Sequence, residues 1–581
     1  MSLPWVPAPL HPRGDLVLGP ILRLKQNHSS ANGGKRPAPK AGPASDLKDC
    51  FHPCAIYGRM GKRRKGKLPI ARGPNAVIVT AMRRRKTRQA ADSTHSWSVL
   101  RHPFEPQSIF SQDRVEAIHQ AALDVLQNLG IKVLLPEAIE LFAKHGAAVS
   151  GDMLRIGSDM VEAALASAPQ SFTLHAPNPA RNLPVAPGQL IFTPGGGCPN
   201  VSDAIRGRRP GDLASYQDAV RLMQSFDVIH KLTPAPEPQD IPVHLRHYAM
   251  MQTQMGLGDK AVTVYGRGRQ QVQECFEIIQ TALGLSAAEF SDAPYCSTVI
   301  NTNSPRMLDK PMAQALIDFA RAGQMCIVTP FCLAGAMAPI TIAGALTLQH
   351  AEALAAITLN QLAKPGAPVM YGGFGSNVDM KSGAPSFGTP EHIQMSIGSG
   401  QLARHIGLPW RSAAGAAANT NDMQATHETV MSLWGCLQAN ATMVIHAAGW
   451  LEGGLTFGFE KFIQDIEALQ AIAHLCKPVA ADAAAIGLDA IEQVAPGGHF
   501  FETDQTLNNY STAFLEPINA DLSNFGTWQK NGALTAEARA TAKWQAILHD
   551  FTAPPGAQER VGRVEAMIAR FTQAGGAPIL E

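Results

Sequence analysis

The segment 326–371 reads CIVTPFCLAGAMAPITIAGALTLQHAEALAAITLNQLAKPGAPVMY. Two short apolar runs rich in β-branched residues, 326–329 and 369–371, flank a stretch, 341–362, whose apolar side chains recur at helical spacing. A strand, a helix and a second strand at this separation are typical of a parallel β-α-β unit, because parallel neighbours need a crossover connection. The segment therefore predicts an α/β protein.

The same alternation repeats along the chain. Eight runs of strand character occur at 190–193, 228–232, 261–265, 297–300, 326–329, 369–371, 408–411 and 442–446. Eight segments of helical periodicity follow them, at 213–225, 243–255, 270–283, 307–322, 341–362, 390–405, 423–439 and 460–475. This rhythm predicts a (β/α)8 TIM barrel over residues 189–480. A doubly wound open sheet is the alternative, although Gly195-Gly196-Gly197 lacks the spacing of a dinucleotide-binding loop.

Two flanking segments have their own patterns. Helical periodicity near 113–129, 136–145 and 159–168 predicts an N-terminal helical segment over residues 99–188. Residues 481–581 predict a C-terminal helical extension that packs on the flank of the barrel.

The N-terminal tail differs sharply in composition from the rest. Residues 1–98 carry 19 Lys and Arg against 4 Asp and Glu, whereas the remainder carries 30 against 43. With eleven prolines and two basic clusters (62–67 and 83–88), residues 1–98 predict a disordered basic tail. We favour a solvated tail over a nucleic-acid-binding one, because no aromatic residues interleave the basic runs. A native protein that begins near Met82, without the preceding residues, is a further hypothesis.

Cysteine and charge distribution bear on the compartment. The nine cysteines are odd in number and scattered, which argues against a disulfide framework and favours a reducing compartment, the cytoplasm. Residues 322–351 contain no charged side chain, but Pro330 and Pro339 interrupt the stretch. It predicts a buried strand, turn and helix rather than a membrane span.

Long loops follow the sixth, seventh and eighth predicted strands, at the barrel face where active sites form. The first of them has about eighteen residues, far more than a usual connection between compact elements. The loops supply aromatic rings and carboxylates that suit a cationic guest such as a quaternary ammonium: Tyr371, Phe374, Trp450, Asp379 and Glu452.

Three motifs resemble the trimethylamine methyltransferase superfamily: Ala336-Met-Ala-Pro-Ile-Thr-Ile-Ala-Gly-Ala-Leu, Gly388-Thr-Pro-Glu with Gln401-Leu-Ala-Arg, and His446-Ala-Ala-Gly-Trp-Leu-Glu-Gly-Gly-Leu followed by Glu460-Lys-Phe. The resemblance implies a TIM barrel that moves a methyl group from an N-methylated amine to the cobalt of a separate corrinoid protein. The archaeal trimethylamine enzymes carry pyrrolysine, which we place near Asn419. This chain has standard residues there, and so resembles the non-pyrrolysine branch that acts on quaternary amines such as glycine betaine, proline betaine or carnitine.

The chemistry of such a reaction agrees with the residues. A quaternary nitrogen has no lone pair, so neither a Lewis-acid metal nor a general acid can act on it. The implied nucleophile is the cobalt(I) of a corrinoid (cobalamin) carried by a partner protein, so we expect no catalytic side chain and no bound metal in this chain. Its task is proximity and orientation. The one tight Cys/His group that resembles a zinc site, Cys50-x-His52-x-Cys54, lies in the tail, and we do not expect it to bind zinc.

Seven residues are predicted to bind the substrate: Tyr371, Phe374 and Trp450 as walls of an aromatic cage, Asp379 and Glu452 as acids that balance the cation, and Asn419 and His446 as anchors for a carboxylate or polar tail.

Two other functions stay open at this point. One is a pterin-dependent corrinoid methyltransferase, which would take its methyl group from a methylated tetrahydrofolate. The other is a non-catalytic amine-binding barrel with a nucleic-acid-binding tail, against which the acidic body argues. We therefore expect a methylated amine and a corrinoid protein as partners, no nucleic acid and no membrane, with a homo-oligomer compatible with the sequence.

Overall fold

The structure, a computed structural model, describes residues 96–580 of the chain. Three predictions concern residues 1–95 and lie outside this range: the disordered tail up to that point, the start near Met82, and the Cys/His group at Cys50, His52 and Cys54.

One eight-stranded sheet lies at the centre of the fold. Its strands, in chain order, are β1 (Leu100–Arg101), β2 (Gln189–Phe192), β3 (Val262–Thr263), β4 (Cys296–Ile300), β5 (Met325–Val328), β6 (Val369–Gly372), β7 (Trp410–Ala413) and β8 (Met443–Ile445). Hydrogen bonds join them in the order β1-β2-β8-β7-β6-β5-β4-β3. The short β1 is antiparallel to β2, and the other six pairs are parallel. Seven of the eight predicted strand runs are confirmed by β2 to β8.

The remaining predicted run, 228–232, connects the two ends of the parallel sheet. The His230 backbone N–H donates to the Phe192 carbonyl on β2 (3.0 Å), and the Leu232 N–H donates to the Ala261 carbonyl (2.9 Å) just before β3. Lys231 also forms a parallel bridge with Ala261. The run therefore lies where the sequence predicts it, but as an irregular segment rather than a regular strand.

Alternation along the strands separates two apolar faces. The inner face brings together Ile191, Ile327, Met370 and Met443 from strands far apart in the sheet order, which requires the sheet to curl. The antiparallel hairpin Phe172–Leu174 and Leu183–Val185 packs on this same cluster. The intervening outward residues, Phe192 and Val328 among them, belong to the larger core shared with the helices. This is a curled α/β sheet covered by helices.

Eight helices follow the parallel strands and the 228–232 run: α1 (Leu213–Ser225), α2 (Val243–Leu257), α3 (Arg269–Leu283), α4 (Lys310–Arg321), α5 (Ile342–Ala363), α6 (Pro390–His405), α7 (Met423–Gln438) and α8 (Phe459–Leu475). All eight predicted helices are confirmed to within about three residues at each end. Side-chain caps begin several of them: Thr389 accepts from the His392 N–H at the start of α6, where Pro390 takes the first helical position. Residues 287–292 add a short helix after α3.

The two flanks contain further elements. Before the sheet lie the helices Gln112–Asp124, Pro136–Lys144 and Ser158–Ser167, a π-helical turn Val125–Leu129, and the strands Ile131–Val133, Ala148–Ser150 and Met153–Arg155. The predicted N-terminal helices are therefore present, but short strands separate them, and one of these pairs with the distant Met307–Leu308. Such long-range pairing leaves no local periodicity. The C-terminal extension holds Ala483–Ile486, Leu488–Glu492, Asp504–Asn509, Phe525–Lys530, Ala536–Asp550 and Ala557–Gln573.

Excursions of the chain beyond the sheet form a second, four-stranded layer. Asn200–Asp203 and Gly207–Pro210 make a hairpin after β2, and Trp450–Leu451 and Thr456–Gly458 make another after β8. The two hairpins join through the parallel pair of Thr456–Gly458 and Asn200–Asp203. Smaller pieces, Leu333–Ala334 and Ser376–Asn377, pair after β5 and β6. These elements hold the loops at the carboxyl ends of the strands.

Helix α5 is long and apolar enough to cross a membrane by length and composition alone. Of its most apolar 18-residue window, 72% is buried inside the fold, as in the core helix of a globular protein. The uncharged stretch 322–351 contributes β5 and the first half of α5, in agreement with the predicted strand, turn and helix.

Candidate active site at the carboxyl ends of strands β6 to β8

Five aromatic side chains meet where β5, β6 and β8 end, and we call them the aromatic cluster: Phe331, Phe374, Phe387, His446 and Trp450. The Phe374 ring lies at the centre, with its centroid 5.0 Å from Phe331, 5.1 Å from Phe387, 5.5 Å from His446 and 5.7 Å from Trp450. Trp450 stacks on His446 at 4.5 Å and meets Phe387 edge-on at 5.2 Å. The π-faces of such a group attract a cation, and quaternary ammonium ions are typical guests.

Glycines allow the Trp450 indole to lie close to the backbone. A Cβ added to Gly415 would lie 2.3 Å from Trp450 Cε3, and one added to Gly454 would lie 2.6 Å from Cζ2. Gly415 also has a φ of +119°, which residues with a side chain rarely adopt. The glycines therefore fix where the indole can lie.

We expect Gly415→Ala to displace Trp450 and to reduce activity much more than it reduces stability. The control is Gly366→Ala, at a φ of +80° with no atom within 4 Å of the added Cβ. It carries a backbone penalty of about 1–3 kcal/mol but no clash. Near-UV circular dichroism reports the indole environment, and urea unfolding reports stability. Equal spectra and equal activity in the two variants would contradict the prediction.

Arg411, on β7, brings a buried guanidinium to the aromatic cluster. Its Cζ lies 5.3 Å from the Phe374 ring centroid, and its Nη2 lies 3.4 Å from His446 Nε2. The side chain is fully buried, and this burial lowers its pKa to about 9, so it remains charged at neutral pH. Its Nε and Nη1 have no hydrogen-bond partner among the described residues, and none of the described ion pairs includes it.

His446 cannot satisfy both of its neighbours. Its Nδ1 faces the Gly196 N–H at 3.3 Å while its Nε2 faces Arg411. Burial and the charge of Arg411 hold the pKa of His446 well below its usual range, so the imidazole is neutral. A neutral imidazole has only one acceptor nitrogen, and one of these two donors therefore remains unpaired. Trp450 Nε1 also lacks a partner among the described residues, so donors outnumber acceptors at this site.

Three of the predicted site residues, Phe374, His446 and Trp450, lie together in this way. Tyr371 does not, and its prediction as a cage wall is corrected. It points outward from β6 into the core shared with α5, where its hydroxyl lies 3.0 Å from His350 Nδ1. The neighbouring Met370 occupies the inner face instead, because successive side chains of a strand point to opposite sides.

Asp379 and Asn419 lie on the surface, and Glu452 is engaged by an arginine. Asp379 is exposed in a turn, where its carboxylate accepts hydrogen bonds from the backbone and hydroxyl of Ser382. Asn419 is exposed. The Glu452 carboxylate makes two contacts with Arg208 Nε, at 2.7 and 3.0 Å. This partner neutralises Glu452, so it is not a free counter-charge for a cation.

The sequence reasoning missed Arg411, Phe331 and Phe387. Arg411 was visible as a charged residue that ends a predicted buried strand, which is an unusual place for an arginine without a partner. The two phenylalanines lie in loops after β5 and β6, and no periodicity indicates which way a loop residue points.

A separate cleft of about 460 Å³ opens at the other end of the sheet. Arg181, Gln224 and Asp259 line it, together with residues 547–555 of the C-terminal extension. Arg181 and Asp259 pair with each other at 2.9 Å, so these two charges are already satisfied. Enzymes with parallel β/α architecture place their chemistry at the carboxyl ends of the strands, which favours the aromatic cluster as the active site.

The family model for trimethylamine methyltransferase (MTTB) matches residues 80–576. A glycine betaine methyltransferase of Desulfitobacterium hafniense is 34% identical over 465 residues, which cover 80% of this chain and 97% of that protein. The trimethylamine methyltransferase MttB2 of Methanosarcina mazei is 28% identical, covering 80% and 96%. The crystal structure of the Methanosarcina barkeri monomethylamine methyltransferase (MtmB) superposes with a TM-score of 0.44 at 8% identity, covering 80% and 88%. This chain belongs to the trimethylamine methyltransferase family and is a methyltransferase.

Proposed function

We propose that the protein transfers a methyl group from a quaternary methylated amine to the cobalt of a corrinoid carried by a partner protein. Membership of the family and the 34% identity to a glycine betaine methyltransferase support a methylated amine as donor. The observation that carries the proposal is the aromatic cluster around Phe374, because its rings provide π-faces for an N-methylated cation at the end of the sheet where such enzymes react.

The proposed step needs little chemistry from this chain. A cobalt(I) corrinoid, as co-substrate on the partner, supplies the nucleophile that takes the methyl group. The C–N bond breaks with its electron pair remaining on nitrogen, and a neutral tertiary amine leaves. No proton is required, which agrees with a neutral His446. The residues of this chain bind the amine, orient one methyl group outward and exclude water.

We propose that the corrinoid arrives on another protein, as the resemblance to the family implies. Residues 96–580 contain no group of three or more His, Cys, Asp or Glu side chains placed to hold a metal ion. We infer that the 228–232 run closes the sheet into a (β/α)8 barrel. The cluster lies at the carboxyl end of this barrel, which we propose faces the partner.

We also propose a cytoplasmic location, since the seven cysteines of the described range are all unpaired thiols.

A methyl-transfer assay tests the proposal. Protein is mixed with cob(I)alamin and one of five donors, which are glycine betaine, proline betaine, carnitine, trimethylamine and methyltetrahydrofolate, and the absorbance of cobalt(I) is followed as it is methylated. We expect methylation with at least one quaternary amine. Trp450→Ala should abolish most of it, whereas Trp434→Ala, on the partly exposed face of α7, is the matched control. Methylation only with methyltetrahydrofolate would establish the pterin alternative, and no methylation with any donor would refute the proposed reaction.

A further inference from the structure

We propose that Arg411 binds a carboxylate of the amine substrate and thereby selects betaines over methylated amines that lack an acid group. This inference rests on the proposed function and assigns one residue of the same site to substrate selection. Arg411 was not among the residues predicted from the sequence.

The first argument is the balance of donors and acceptors. Arg411 presents Nε and Nη1 without partners, Trp450 presents Nε1, and neutral His446 can accept from only one of its two neighbours. Leaving donors unpaired in a buried site costs free energy. A carboxylate is an acceptor-only group whose two oxygens match the fork of a guanidinium. It would pair with one edge of the Arg411 guanidinium, Nη2 together with either Nε or Nη1, and so leave the acceptor nitrogen of His446 to Gly196.

The second argument is charge. Arg411 is fully buried beside the aromatic cluster, and the described residues offer it no carboxylate, since Glu452 is engaged by Arg208. A guest that is only cationic would gain from the π-faces but would meet the positive charge of Arg411 in a medium of low dielectric constant. A zwitterion avoids this conflict, because its negative end neutralises the guanidinium while its positive end faces the rings.

The third argument is spacing. The guanidinium Cζ lies 5.3 Å from the centroid of Phe374, the central ring of the cluster. In glycine betaine a single methylene separates the carboxylate from the quaternary nitrogen. A carboxylate on Arg411 would therefore place the N-methyl groups among the rings rather than beyond them.

Binding experiments without corrinoid test this inference independently of turnover. Isothermal titration calorimetry compares glycine betaine with choline, which keeps the trimethylammonium group but replaces the carboxylate with a hydroxymethyl group. We expect the wild type to bind glycine betaine about 10- to 100-fold more tightly, as one or more charge-assisted hydrogen bonds provide. Arg411→Met should abolish this preference while choline binding remains or improves. Arg404→Met, which removes a guanidinium that donates to the Ala439 carbonyl from an exposed position, should leave the preference unchanged.

The outcomes separate the two proposals. A wild type that binds choline as tightly as glycine betaine, or a folded Arg411→Met that keeps its preference, would overturn the role of Arg411. If Arg411→Met does not fold, Arg411→Lys keeps the charge but loses the fork, and we expect an intermediate preference. Methyl transfer from choline but not from any betaine would leave the proposed reaction standing but would contradict carboxylate selection. Tight, Arg411-dependent betaine binding without methyl transfer would refute the reaction alone.

Discussion

Asp465→Ala is expected to lower the free energy of unfolding by about 3–5 kcal/mol, which is the cost of leaving one member of a buried ion pair alone. Lys461 and Asp465 pair one turn apart on α8, with side-chain exposures of 0% and 6%. The Lys461 ammonium also donates to Thr429 Oγ1 at 2.9 Å. Without Asp465, this buried ammonium would have no carboxylate partner.

The same substitution should also impair the site. The second oxygen of Asp465 accepts from the Gly449 N–H at 2.9 Å, immediately before Trp450 in the chain. Loss of this bond frees the turn that carries the indole, so we expect reduced methyl transfer as well. The Lys461→Met/Asp465→Ala double variant is the control, because it also removes the buried ammonium that Asp465→Ala leaves without a carboxylate partner.

Urea unfolding followed by circular dichroism measures both variants. We expect the double variant to regain more than half of the stability that Asp465→Ala loses, while the site defect persists because the bond to Gly449 is still absent. A loss below about 1 kcal/mol in the single variant, as for an exposed pair, would contradict this account of α8.

The fold could be predicted because strand and helix periods are local properties of the sequence. Val369–Gly372 and Ile342–Ala363 are each recognisable within their own residues, and their alternation specifies a parallel α/β arrangement. Pairing across the chain is not local. The contact of Ile131–Val133 with Met307–Leu308 joins segments of little distinctive pattern, so the short N-terminal strands escaped prediction.

The residues that meet in the aromatic cluster were predicted in part for a related reason. Its position followed from the topology, and Phe374, His446 and Trp450 follow β6 and β8 closely enough for the strand ends to place them. The prediction of Tyr371 as a cage wall was wrong because neighbouring residues of a strand point to opposite faces of the sheet, and it is Met370 that points to the inner face. The predictions for Asp379 and Asn419 were wrong because each residue lies far from a strand end in a long loop. There the path of the backbone depends on contacts that the hydrophobic periodicity of the sequence does not reveal.

The prediction of Glu452 as the counter-charge for a cation was wrong for a different reason. Sequence reasoning looked for acids to balance a cationic guest and found Glu452, but it could not see that Arg208 on the neighbouring hairpin already pairs with it. Once that pair is recognised, the charge left to be balanced is the positive charge of Arg411. The site therefore favours a guest that brings its own negative group, and Arg411 rather than Asn419 is the residue placed to receive it.

His392 makes the stability of the site sensitive to acid. It lies in the first turn of α6, fully buried, and its Nδ1 donates to the Gly375 carbonyl at 3.1 Å. Its ring meets Phe387 edge-on at 5.5 Å and Phe374 at 6.5 Å. Burial lowers its pKa to about 4, compared with about 6.5 in an unfolded chain. Protonation would therefore place an uncompensated charge directly behind the aromatic cluster.

The sign of the pH effect follows from this lowered pKa. Above pH 6.5 the imidazole is neutral in both the folded and the unfolded protein, so it does not change the free energy of unfolding. As the pH falls from about 6.5 to about 4, the unfolded chain binds a proton that the folded protein excludes, so the free energy of unfolding decreases. At pH 4.5 the loss due to His392 is about 2–3 kcal/mol, and it levels off below pH 4, where the folded protein is protonated too.

His392→Asn tests this assignment, because the asparagine amide can still donate to Gly375 but does not titrate. Other buried histidines contribute to acid sensitivity in both proteins, so the informative quantity is the difference between them. Urea unfolding at pH 7.5 and pH 4.5 should show a pH-dependent loss that is about 2–3 kcal/mol smaller in the variant. His499→Asn, at an exposed position, should lose as much as the wild type. Identical losses in His392→Asn and the wild type would mean that the imidazole is not held neutral by burial, and that the wall behind Phe374 and Phe387 tolerates charge.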